Sequence, residues 1–139
     1  MSDPREWRYL IASAVGLLVL GGLWVAGWAF REARDVDPTA LGLLSTCLED
    51  ERRVRVISPS GDPLADSAPS GSLRTTIEGN TVTVSIWADH EAAIRTLETY
   101  ARLTPENLEG RAVARGRRAN LWASPPTGSQ AAALYDCEP

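Results

Sequence analysis

A chain of 139 residues has room for one ordinary domain and an appendage. Its 14 basic residues, all arginine, stand against 18 acidic ones for a formal net charge of -4, which argues against a general nucleic-acid binder. With 2 cysteines and 1 histidine it lacks the ligands for a CxxC-type metal or redox centre, and no cofactor is expected.

Residues 1–9 form a short N-terminal tail, and the run from Leu10 to Phe30 follows, in which Ser13 is the only side chain that is neither apolar nor glycine. At 1.5 Å per residue in a helix, such a run matches a hydrocarbon core of about 30 Å, so residues 10–30 are expected to cross a lipid bilayer. Trp7 and Tyr9 before the run, and Trp24 and Trp28 near its far end, are expected to anchor it at the two headgroup interfaces. A cleaved secretory signal competes with this reading, because Gly27-Trp28-Ala29 is a small-x-small tripeptide. Signal h-regions are shorter, about 7 to 15 residues, and an uncleaved signal anchor fits better. Ala12 with Gly16, and Gly22 with Ala26, give the small-xxx-small spacing that lets such helices approach one another, so a homo-oligomer is among the expectations.

The positive-inside rule does not orient the segment, since Arg5 and Arg8 before it are matched by Arg31 and Arg34 after it. The cysteines do. Cys47 and Cys137 lie at opposite ends of everything that follows the anchor, a placement that predicts a disulfide tying those ends together. Such bonds persist in oxidising compartments, so the N-terminus is expected in the cytoplasm and the C-terminal domain outside it.

After a charged stalk, 31–37, Asp37-Pro38 provides a cap and a first-turn proline, and Leu41, Leu44, Cys47 and Leu48 recur at helical spacing. Residues 53–57 read as a strand. Residues 58–72, rich in Ser, Pro, Gly and Asp, are expected to form a flexible, exposed loop. Two strands at 73–77 and 81–87 flank a Glu78-Gly79-Asn80 turn, the second of them alternating from Thr81 to Ile86. Asp89 caps a helix whose stripe is Ala93, Ile94, Leu97, Tyr100 and Ala101, ending before Thr104-Pro105. A second hairpin, 111–115 and 118–124, turns at Gly116, and Thr127 with Gln130 forms a capping box ahead of a last helix at 131–137.

Hairpins followed by helices predict an α+β fold: a transmembrane helix and then a small two-layer domain, 38–139, with an antiparallel sheet of four to five strands and about three helices packed on one face.

Few residues offer chemistry. Asp89-His90-Glu91 sets the lone histidine between carboxylates, but consecutive residues at a helix start diverge, and N-capping by Asp89 explains them better than metal or acid-base work. No nucleophile elbow and no glycine-rich phosphate motif occurs, so enzymatic activity is not expected. Arg111, Arg115, Arg117 and Arg118 crowd the second hairpin and form a candidate anion-binding face, although charge on exposed strands also serves solubility. The function expected is a membrane-anchored extracytoplasmic domain for interaction with another membrane or envelope protein. The alternative is a small-ligand-binding or enzyme-accessory domain with a pocket near Trp87 and Trp122.

Overall fold

The computed structural model describes residues 38–137. The expected membrane span at 10–30, its flanking Trp7, Tyr9, Trp24 and Trp28, and the stalk lie outside these residues. Among the described residues no helix is long and apolar enough to cross a membrane.

In chain order the elements are helix α1 (Pro38–Asp50), strand β1 (Val56–Ile57), helix α2 (Pro63–Asp66), strands β2 (Ser72–Ile77) and β3 (Asn80–Ile86), helix α3 (His90–Leu103), strands β4 (Ala112–Arg115) and β5 (Arg118–Trp122), and helix α4 (Gly128–Tyr135). The strands form one antiparallel sheet in the order β1-β2-β3-β5-β4. The described chain is thus a small α+β domain with a five-stranded sheet and four helices.

Both hairpins sit where the sequence puts them; the first turn is tighter than the spacing suggested, and the second holds the two residues expected between 115 and 118. In the first, Ile77 pairs with Asn80, leaving Glu78 (φ 48) and Gly79 (φ 80) as the two central residues. Two successive left-handed residues match the twist of the flanking strands. Asn80 therefore belongs to β3, where its buried amide bonds the Ser124 carbonyl (2.9 Å) and Gln130 Oε1 (3.2 Å). In the second hairpin Arg115 pairs with Arg118 across Gly116 (φ 52) and Arg117. Since β3 and β4 each run antiparallel to β5, they are parallel to one another, and α3 is the crossover between them.

The register settles which side chains share a face. Leu73, Thr75 and Ile77 pair with Val84, Val82 and Asn80, and Val82 and Val84 pair onward with Trp122 and Asn120. This face carries the main core, where Leu44 and Leu48 of α1 and Leu134 and Cys137 at the end of α4 meet Leu73, Ile77, Val82, Val84 and Trp122. Val54 and Val56 pack against its edge. The buried residues of α3, Ala93 and Thr96, lie outside that cluster. Tyr100 instead faces Asp62 and Ala65, and Ser72, whose side chain alternates with that of Leu73, bonds Asp66. Helices therefore flank both faces of the sheet, α1 and α4 on one and α3 with the 58–71 segment on the other. The expected packing of all helices on one face is corrected, because a parallel crossover such as β3-α3-β4 must lay its helix over one face while the Cys47–Cys137 bond holds α1 and α4 together on the other.

Three local expectations also change. Residues 58–72 are not an exposed loop: they contain α2 and bury Ser60, Ala65, Ala68, Ser70 and Ser72. Composition misleads here because hydrogen bonds replace apolar bulk. Asp62 caps α2 through Leu64 N (2.9 Å) and Ala65 N (3.2 Å), while the Asp66 carboxylate accepts from Ser60 N (2.9 Å), Ser60 Oγ (2.6 Å), Gly61 N (3.1 Å) and Ser72 Oγ. The first strand is short because Arg53 turns left-handed after α1 (φ 54) and Val54 N–H returns to the Leu48 carbonyl (3.1 Å). On α3 the buried stripe runs through Thr96, whose hydroxyl donates to the Ala92 carbonyl (2.9 Å), while Ile94 and Ala101 are exposed.

Candidate functional site

Two cysteines placed 90 residues apart meet as expected: the Cys47 and Cys137 sulfurs are 1.99 Å apart and their Cα atoms 5.5 Å apart. Beside them lies an open groove of about 360 Å³ lined by Leu43, Thr46, Asp50, Glu51 and Asp136, with Leu43 57% exposed. Arg52 reaches Asp136 (3.4 Å) across the outside of the same α1–α4 junction.

The residues around the lone histidine serve the fold. Asp89 caps α3 through Ala92 N–H (2.7 Å), and His90 Nδ1 lies 2.7 Å from the Gly116 carbonyl, tethering the start of α3 to the β4–β5 turn. The tryptophans named for a pocket are also kept apart. Trp122 is fully buried on the α1–α4 face opposite Val82, whereas Trp87 follows Ser85 onto the other face, its indole N–H donating to Ser85 Oγ (2.9 Å). Trp87 is five steps along the chain from Val82, about 16 Å at strand spacing, so no pocket is shared.

Of the four hairpin arginines Arg111 stands apart, while Arg115 and Arg118 are directly opposed across the turn that holds Arg117. Arg111 stands at the start of β4, where its side chain is only 18% exposed, bonded to the Trp122 carbonyl (2.9 Å) and paired with Glu106 (3.0 Å). Arg115, four residues or about 13 Å further along the strand, lies over the Tyr135 ring at 4.2 Å. Arg118 is buried, and both it and Arg117 are engaged in contacts of their own. On β5, Asn120 and the Trp122 indole N–H are buried with no hydrogen-bond partner among the described residues.

The exposed cationic site lies at the other edge of the sheet. Ile57 pairs with Arg74 and Val56 with Thr75, which sets Arg55 opposite Thr76. Arg55, Ile57, Arg74, Thr76 and Thr81 therefore share the face away from the main core, and they line an open cavity of about 290 Å³. Arg55 and Arg74 are diagonal cross-strand neighbours, with Cα atoms about 7–8 Å apart in such geometry. Among the described residues neither guanidinium has an ion pair or a hydrogen bond, and no carboxylate lines the cavity. The Thr76 and Thr81 hydroxyls meet at 2.9 Å, which leaves one hydroxyl proton for a further acceptor. Sequence reasoning missed this pair because Arg55 and Arg74 are 19 positions apart; the available signal was the outward alternation of Arg74 and Thr76 along β2.

No protein-family model matches this chain, and neither a curated protein nor a solved structure matches it.

Proposed function

We propose that this protein is a single-pass membrane protein whose C-terminal domain lies outside the cytoplasm and acts without catalysis, through contact with another membrane or envelope component. The disulfide carries the reading: a bond between Cys47 and Cys137 joins the first and last helices of the domain and persists in an oxidising compartment. The apolar run at 10–30 supplies an anchor of bilayer length, with Trp7, Tyr9, Trp24 and Trp28 at its interfaces and small residues suited to self-association. Non-enzymatic action is favoured because Asp89 and His90, the most suggestive residues for acid-base work, are occupied in capping and tethering α3.

The test is labelling of the two cysteines in intact cells with a membrane-impermeant maleimide. Labelling that requires prior treatment with an impermeant reductant supports the assignment. Thiols that are free, and reached only after permeabilisation, overturn both the localisation and the role built on it.

A further inference from the structure

We propose that the cavity between β1 and β2 is a phosphate-binding site, formed by Arg55 and Arg74 with the hydroxyls of Thr76 and Thr81. Two unpaired arginines in one lining distinguish it: Arg53 and Arg102 also have no ion pair among the described residues, but neither lines this cavity. Elsewhere Arg52 pairs with Asp136, Arg95 with Glu91 and Arg111 with Glu106, while Arg115 lies over Tyr135 and Arg117 and Arg118 are engaged. The two arginines of this cavity have no counter-charge among the described residues, and backbone pairing holds them as diagonal neighbours.

Two like charges at that separation repel, and a multiply charged oxyanion between them removes the repulsion while accepting from both guanidinium forks. The lining offers donors to such a group: two guanidiniums and a threonine hydroxyl pair with one proton to spare. Ile57, 43% exposed and opposite Arg74, supplies an apolar wall. A cation would find no carboxylate in the lining, and an uncharged ligand would leave both guanidiniums uncompensated. The openness of the site suits a terminal phosphate on a larger molecule, which can be a soluble phosphate compound or a lipid headgroup. This assignment holds on either side of a membrane, so it does not depend on the topology proposed above.

The test uses the full chain in nanodiscs of zwitterionic lipid, titrated with inorganic phosphate and followed by amide chemical shifts. Saturable shifts confined to Arg55, Arg74, Thr76 and Thr81 are expected. The double variant R55Q/R74Q should bind at least about tenfold more weakly with its melting temperature not lowered, since charge-assisted hydrogen bonds contribute that much each. The control R115Q/R117Q should bind like the parent. A second arm repeats the titration in nanodiscs carrying an anionic phosphate-headgroup lipid: weakened phosphate binding identifies the lipid as the ligand source, and unchanged binding identifies a soluble phosphate. Non-saturable shifts, or binding that survives R55Q/R74Q or is lost equally in R115Q/R117Q, overturn the proposal.

Discussion

Removing the Cys47–Cys137 bond tests how the domain is held together. The bond closes a loop of 90 residues, and in the chain-entropy model a loop of that size raises the free energy of the unfolded chain by about 4–5 kcal/mol at 25 °C. A domain of this size has about 5–15 kcal/mol of total stability, so the bond accounts for about a quarter of it or more. Because 1 kcal/mol moves the midpoint of a domain of about 100 residues by about 4–8 °C, the variant C47A/C137A should melt at least about 15 °C below the parent. Thermal unfolding of the full chain, followed by circular dichroism with and without reductant, measures this. Reduction of the parent should reproduce the variant. A drop smaller than about 5 °C would refute the reasoning, because it would mean that α1 and α4 are already held by Leu44, Leu48 and Leu134 and that the unfolded chain gains little from being released.

Four further outcomes follow from the packing. Gln130 Oε1 accepts from Asn80 Nδ2 (3.2 Å) and Thr127 N (3.0 Å) while its Nε2 donates to the Glu78 carbonyl (3.2 Å), so Gln130→Ala should cost about 1–3 kcal/mol in urea unfolding, whereas the exposed Ser129→Ala should be nearly neutral. Asn120 lies between Val84 and Val113 with its amide unpaired, so Asn120→Val should stabilise the domain by about 1 kcal/mol; a loss of stability measured in the same way would reveal a polar partner for that amide. At Gly71 (φ +93) an added Cβ would stand 2.7 Å from Leu41 Cδ2, so Gly71→Ala should destabilise by at least about 1 kcal/mol, while Gly42→Ala, in open space on α1, should stabilise by about 0.5–1 kcal/mol. The Ser60 and Ser72 hydroxyls, together with backbone N–H groups of Gly61 and Ser60, hold the Asp66 carboxyl below the usual carboxylate range. Its folded value being depressed, its contribution is complete above the unfolded value of about 3.9 and is lost as pH falls through the folded one, so Asp66→Asn should flatten the acid limb of stability against pH.

The readable features were those whose signal lies within a few residues. Asp89 as a cap, Thr127 with Gln130 as a capping box and the α1 positions Leu41, Leu44, Cys47 and Leu48 are all local chemistry found where the residues alone place it, and the Glu78-Gly79-Asn80 turn is found there too, one residue shorter because Asn80 joins β3. The cysteine pairing was legible because the chain holds no other candidates. Tertiary structure decided the rest. Which face α3 covers depends on β5 returning between β3 and β4, a pairing of segments that no local pattern encodes. The order of 58–72 depends on Asp66 finding Ser60 and Ser72, whose short polar side chains look like loop composition until they close on one carboxylate. The cationic site shows the same division. Of the four arginines clustered in sequence at 111–118, Arg111 is drawn into its own ion pair away from the three at the turn, whereas Arg55 and Arg74 become neighbours through the register of β1 against β2. Adjacency in sequence reflects the chain; adjacency on a sheet reflects which apolar faces must be buried together, and only the folded core sets that.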